Sequence, residues 1–149
     1  MQAMAESATQ TVTIAASPER CFAVATDFPR YPEWAKDVKE ATIRETDDQG
    51  RATTVEFRAS ALGRSTHYTL AYDYSAAPEK LSWQLVHGDI MRAIDGAYTF
   101  APSATDPAST DVVYELSIEL VVPLPGFVKR RAEVRILNTV KELKARAEA

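Results

Sequence analysis

Apolar and polar residues alternate along most of the chain. Between positions 52 and 61, for example, Val55 and Phe57 fall on one side of an extended chain, and Glu56 and Arg58 fall on the other. This period of two residues is typical of a β-strand with one buried face. The same pattern recurs between turn-forming residues and predicts seven strands, at 9–15, 38–46, 52–61, 67–74, 81–86, 94–100 and 112–120.

The last part of the chain has a different period. Its apolar residues recur every three or four positions, which is the spacing of one stripe on an amphipathic helix. The residues of this stripe are Val128, Ala132, Ile136, Val140, Leu143 and Ala147. They predict one long helix over 126–145. Two shorter helices are predicted after the first strand, one with Ser17 as its N-cap and Pro18 at its first position, and one at 31–34.

A sheet with one apolar face and a helix with one apolar stripe must each be covered. We therefore predict an α+β fold in which a curved antiparallel sheet wraps around the C-terminal helix. The 149 residues have the size of one domain. A single domain over 1–149 is expected, with residues 1–8 disordered.

Composition narrows the classes of function. The chain is 46% hydrophobic and 26% charged, and none of its apolar runs approaches the roughly 20 residues that a membrane-spanning helix requires. The N-terminus has neither the basic start nor the apolar centre of a signal peptide, so a cytoplasmic location is expected. A net charge of −4 disfavours nucleic-acid binding. With one cysteine, Cys21, and two histidines, neither an internal disulfide bond nor a transition-metal site is expected.

Four segments carry a resemblance to a known family: ASPERCF at 16–22, FPRYPEW at 28–34, DGAYTF at 95–100 and VPLPGFVKRR at 122–131. Together with the order of the elements, they resemble the START-like superfamily, whose helix-grip fold is also called Bet v 1-like. Within it, the chain looks most like the small bacterial proteins of the polyketide cyclase/dehydrase type. The resemblance implies an internal cavity for an apolar small molecule. Neither a metal nor an organic cofactor is expected.

Side chains on the predicted inner face are the candidates for lining this cavity. Buried aromatic residues most often belong to a close-packed core, but a tyrosine adds a hydroxyl group that requires a partner. The candidate ligand-binding residues are Tyr31, Trp34, Phe57, Tyr68, Tyr72, Trp83, His87, Met91, Tyr98, Tyr114, Phe127 and Arg131. No catalytic residue is assigned, because neither His67 nor His87 has an Asp or Ser nearby in the sequence at a spacing that indicates a catalytic pair.

A basic cluster, Lys129-Arg130-Arg131, lies near the start of the predicted long helix. Positive charges at this end oppose the helix dipole. The cluster is either a solvated surface or a contact for an anion, such as a ligand carboxylate, a membrane headgroup in a transient encounter, or an acidic carrier protein. Both interpretations stay open at this point, as does the choice between a monomer and a homodimer.

The sequence therefore predicts a protein that binds an apolar small molecule, such as a polyketide, an isoprenoid or a lipid, between the sheet and the C-terminal helix. The turnover that the resemblance implies is cofactor-free cyclisation or dehydration. Two alternatives stay open: a lipid or quinone carrier or sensor without turnover, and an interaction protein with a filled core.

Overall fold

Seven antiparallel strands form one curved sheet in the computed structural model, which describes residues 6–61, 64–121 and 138–149. The strands are β1 (Glu6–Ile14), β2 (Val38–Thr46), β3 (Ala52–Ala61), β4 (Arg64–Asp73), β5 (Lys80–Gly88), β6 (Met91–Pro102) and β7 (Thr110–Leu120). Their spatial order is β1-β7-β6-β5-β4-β3-β2, so consecutive strands from β2 to β7 are neighbours and β1 pairs with β7. This topology confirms the predicted seven-stranded sheet.

The alternation in the sequence decides which side chains face inward. In β3, Phe57 is only 2% exposed and belongs to the core. Its neighbours Glu56 and Arg58 point to the outer face, where they form ion pairs with Arg44 and Glu40 of β2. The distance from Arg58 Nη2 to Glu40 Oε1 is 3.1 Å. The inner face of the sheet is therefore apolar and the outer face carries the charges, as the period of two residues predicts.

Two short helices follow β1, as predicted. Helix α1 (Pro18–Thr26) begins at its N-cap Ser17, whose Oγ accepts a hydrogen bond from the backbone N–H of Arg20 at 3.1 Å. A single 3-10 turn (Phe28–Arg30) leads into helix α2 (Tyr31–Trp34). Cys21 is fully buried on α1, where it packs in the core as a small apolar side chain, and burial raises the pKa of its thiol.

The chain ends in a helix, α3, which covers 138–148 among the described residues. Val140 and Leu143 are fully buried and Ala147 is 5% exposed, and all three belong to the same hydrophobic core as the inner face of the sheet. This part of the predicted apolar stripe is confirmed. The earlier part of the predicted helix, 126–137, lies outside the described residues.

Polar contacts fix the end of α3 to the end of β1. The Glu148 carboxylate accepts a hydrogen bond from the backbone N–H of Ala15 at 2.8 Å and pairs with Lys144 Nζ at 2.6 Å. Lys144 Nζ also donates to the backbone carbonyl of Thr13 at 3.0 Å. These contacts join elements that lie more than a hundred residues apart in the sequence, so they hold the last helical turns against the edge of the sheet.

The N-terminal strand is longer than predicted. β1 begins at Glu6 instead of residue 9, and its first residues pair with β7 in the register Glu6 to Ile118 and Ala8 to Leu116. Residues 6–8 are therefore part of the sheet, and the expectation that they are disordered is wrong. The alternation at 6–8 is too weak to indicate a strand, and it is the pairing with β7 that extends it.

Candidate functional site

Four large aromatic side chains from four neighbouring strands meet on the inner face of the sheet. They are Tyr72 of β4, Trp83 of β5, Tyr98 of β6 and Tyr114 of β7. The ring centroids lie 5.8 Å apart for Tyr72 and Trp83, 5.2 Å for Trp83 and Tyr98, and 4.9 Å for Tyr98 and Tyr114. Contacts of this length are typical of packed aromatic pairs. The strand register brings the four residues together, since Tyr72 pairs with Trp83 and Tyr98 pairs with Tyr114.

A second aromatic group extends this surface toward α2. Phe28 is fully buried, and its ring centroid lies 4.6 Å from that of Tyr72 and 5.3 Å from that of Tyr31. Tyr31 in turn contacts Trp34 at 4.7 Å and Phe57 at 5.9 Å. The two groups form one continuous surface, which we call the aromatic inner wall. It consists of Phe28, Tyr31, Trp34, Phe57, Tyr68, Tyr72, Trp83, Tyr98 and Tyr114.

Burial disfavours ionisation of the tyrosine phenols of the chain. It raises the pKa of Tyr68 and of Tyr74 to about 12, and it raises the pKa values of Tyr31, Tyr72, Tyr98 and Tyr114 as well. At neutral pH every one of these hydroxyl groups can donate a hydrogen bond. None of them has the lowered pKa that a general base would need near neutrality.

The hydroxyl groups differ in their partners. Tyr31 donates to the backbone carbonyl of Ala25 at 2.5 Å, and this bond fixes α2 against α1. The hydroxyls of Tyr72 and Tyr98 make no hydrogen bond to another residue in the described part of the chain. Tyr31 is therefore held by the fold, whereas Tyr72 and Tyr98 present polar tips on an otherwise apolar wall.

One acidic residue near the wall, Glu142, is not predicted from the sequence to contact it. Glu142 of α3 accepts a hydrogen bond from the backbone N–H of Lys36 at 3.3 Å, and its charge contributes to the raised pKa of Tyr98. Glu142 occupies a polar position of the helix, where the pattern predicts only contact with solvent. The loop that brings Lys36 to it lies more than a hundred residues earlier, so no local signal could have identified the contact.

Most of the predicted cavity residues lie together in the aromatic inner wall: Tyr31, Trp34, Phe57, Tyr68, Tyr72, Trp83, Tyr98 and Tyr114. Met91 is half-buried at the start of β6 and packs against the same core. Phe127 and Arg131 lie outside the described residues, as do Lys129 and Arg130 of the basic cluster. Phe28, which the sequence analysis did not select, lies at the centre of the wall.

His87 does not belong to the inner wall. The register between β4 and β5 shifts between Thr69 and Leu70, so Thr69 pairs with His87 while Leu70 pairs with Leu85. A bulge of this kind inserts one residue and reverses the parity of the strand beyond it. Gly88 consequently takes the inward position, and His87 is exposed on the outer face. His87 shares the parity of Trp83 and Leu85 in the sequence, but the bulge places it on the other face, so the prediction that it lines the cavity is wrong.

A separate depression of about 560 Å³ lies on the outer face of the sheet. Its lining includes exposed polar residues of four strands, among them Thr9, Gln84, Asp95 and Glu115. Gln84 Nε2 donates to the Asp95 carboxylate at 3.1 Å. Its lining also includes Tyr72, Trp83 and Gly96, so only residues that point away from the wall, such as Glu115, provide controls for experiments on the wall.

Residues 5–148 match the sequence model of the family described as polyketide cyclase/dehydrase and lipid transport, and the chain belongs to that family. Membership of this family supports the binding of a hydrophobic ligand in general. No curated protein matches the sequence. No helix among the described residues is long and apolar enough to cross a membrane.

Solved structures show the same fold. A START superfamily protein from Mycobacterium smegmatis is 27% identical, with a TM-score of 0.86 over 95% of this chain and 97% of its own. The Zhui aromatase/cyclase from Streptomyces sp. R1128 is 16% identical, with a TM-score of 0.76 over 97% of this chain and 94% of its own. Major latex-like protein 151 from Panax ginseng is 10% identical, with a TM-score of 0.71 over 98% of this chain and 99% of its own. The START-like helix-grip fold predicted from the sequence is confirmed.

Proposed function

We propose that the protein binds an apolar small molecule of the polyketide, isoprenoid or lipid type against the aromatic inner wall, on the side of the sheet that faces the C-terminal helix. The observation that carries this proposal is the composition of the wall, in which tyrosines supply many of the large side chains. An ordinary core needs apolar volume and gains nothing from hydroxyl groups that must find partners. A ligand site needs both an apolar surface and a few polar groups.

The hydroxyls of Tyr72 and Tyr98 suggest what the ligand carries. Because these phenols are protonated at neutral pH, they donate hydrogen bonds and favour an acceptor such as a carbonyl oxygen. The flat rings of Trp83 and Tyr98 favour a planar partner, which can stack on them. A neutral, planar, carbonyl-bearing ligand therefore fits this wall best.

Hydroxyl groups that are protonated at neutral pH also allow one kind of turnover. A protonated phenol polarises a ketone by donating a hydrogen bond and stabilises the negative charge that develops on the oxygen. Cofactor-free cyclisation or dehydration of a carbonyl-rich chain is the second function that we propose, beside that of a carrier. Incubation with such a chain decides between the two, because the enzyme releases a cyclised or dehydrated product and a carrier returns the chain unchanged.

Binding can be measured with xanthone, a neutral ligand with three fused rings and one carbonyl group. Both tryptophans of the chain, Trp34 and Trp83, belong to the wall, so bound xanthone should quench the intrinsic fluorescence. Tyr98→Phe removes one donor and should weaken xanthone binding by about 2- to 12-fold, the value of one hydrogen bond. The affinity for xanthene, which has the same rings without the carbonyl, should not change.

Glu115→Gln is the matched control, since it alters an exposed residue of the outer depression and should leave both affinities unchanged. The proposal is contradicted if xanthone leaves the fluorescence of the parent protein unaltered. A Tyr98→Phe variant that weakens xanthone and xanthene equally would refute the role of the hydroxyl group.

A further inference from the structure

The indole ring of Trp83 lies directly over a glycine of the next strand. Trp83 of β5 pairs with Gly96 of β6 in the sheet register. A methyl group at position 96 would stand 2.3 Å from Cε2 of the indole and 2.4 Å from Nε1. Contacts this short do not occur in folded proteins, so the ring occupies the space that the side chain of residue 96 would otherwise fill.

This contact keeps the indole of Trp83 close to the plane of the sheet. Strand side chains normally stand away from the plane of the sheet. A glycine in a strand interior often marks a place where another group approaches the backbone closely. Because Gly96 leaves room, the indole leans across β6.

Neighbouring rings prevent the indole from moving sideways. The centroid of Trp83 lies 5.8 Å from Tyr72, 5.2 Å from Tyr98 and 6.2 Å from Tyr114, and the residue is 7% exposed. If residue 96 gained a side chain, the indole would have to move by about an ångström. Because rings flank it on both sides, we expect the movement to be away from the sheet. The ring would then take up space on the side where the proposed ligand binds.

We infer that Gly96 and Trp83 together determine which ligands the inner wall accepts, with Trp83 as the specificity-determining residue and Gly96 as the positioning residue that holds its ring flat. The inference rests on the proposed function and extends it, because it identifies ligand size as the selected property. A flat indole leaves depth for an extended fused-ring ligand, and a raised indole leaves room only for a smaller one.

Gly96→Ala tests this inference with two ligands that share one carbonyl group and differ by one ring. The variant should bind xanthone, with three fused rings, about tenfold more weakly, while its affinity for chromone, with two, should change little. Both affinities can be read from quenching of tryptophan fluorescence. Ala97→Ser adds one atom at the adjacent position on the opposite face and should leave both affinities unchanged.

Trp83→Phe makes the ring at position 83 smaller, and it tests the same inference if Gly96→Ala does not fold. The smaller ring deepens the site, so the affinity for the four-ring 5,12-naphthacenequinone should rise about tenfold relative to that for xanthone. If the parent protein binds none of these ligands, both the proposed function and the inference are contradicted. If the parent protein binds xanthone but neither variant changes the preference for ligand size, only the inference is overturned.

Discussion

Raising the pH above 10 is expected to unfold the protein cooperatively. The sequence contains six tyrosines, and burial raises the pKa of each of them above the ordinary value of 10.0. In the unfolded chain these phenols ionise near pH 10, whereas in the folded chain they remain protonated. The folded state then binds more protons than the unfolded state, so the free energy of unfolding falls as the pH rises.

The size of this effect follows from the number of groups. Well below pH 10 the phenols are protonated in both states, so their burial does not make the free energy of unfolding depend on pH. Between pH 10 and the folded-state pKa values, which are about 12 for Tyr68 and Tyr74, the phenols ionise only in the unfolded chain, and the free energy of unfolding falls. Each tyrosine that is ionised only in the unfolded chain removes about 1.4 kcal/mol per pH unit. All six together remove at most about 8 kcal/mol per pH unit, which is comparable to the whole stability of a typical domain.

Phenolate absorbance and far-ultraviolet circular dichroism, recorded together against pH, test this expectation. Both signals should stay native through pH 10 and then change in a single transition at a common midpoint. The double variant Tyr72→Phe/Tyr98→Phe lacks two titrating groups and should unfold at a higher pH. Phenolate absorbance that rises with a midpoint near pH 10 while the dichroism remains native would show that the tyrosines are accessible and the wall is not buried.

Phe28→Ala is expected to cause the largest loss of stability from a single side chain. Phe28 is fully buried, and its ring centroid lies within 6.3 Å of those of Tyr31, Phe57 and Tyr72. It therefore joins the 3-10 turn before α2 to two strands of the sheet. Replacing a buried phenylalanine by alanine leaves a cavity and costs about 3–5 kcal/mol. Urea denaturation of the variant and the parent protein measures this loss.

Phe22→Ala is the matched control for this substitution. Phe22 lies on α1, is only half-buried, and contacts Tyr74 and Phe100 edge-on at centroid distances of 6.4 Å and 6.0 Å. The same truncation should therefore cost clearly less there. Equal losses for the two variants would argue that Phe28 has no special position in the wall.

The sheet could be predicted from the sequence because its signal is local. Strands β2 and β3 begin and end where the alternation predicts, since turn residues such as Asp47 and Gly50 punctuate them. The inward direction of Phe57 and Tyr98 follows from the same period of two residues. Such a signal survives in a single sequence because each strand carries it independently of its partners.

The site could be predicted only in part, because its details depend on contacts between distant elements. The bulge that turns His87 outward appears only when β5 pairs with β4. Phe28 precedes a proline at the end of a helix and has no periodic neighbours, so nothing near it indicates its contact with Tyr72. The close approach of Trp83 to Gly96 likewise depends on the register between two strands.

We propose that an apolar molecule binds beside the aromatic inner wall. Denaturing mass spectrometry of protein purified from its native host tests it most directly, since denaturation releases whatever the wall holds. We predict that a neutral, carbonyl-bearing apolar molecule is released in an amount close to that of the protein. The proposed binding function would be contradicted if the protein released no such molecule and a native sample of the same preparation also failed to bind xanthone.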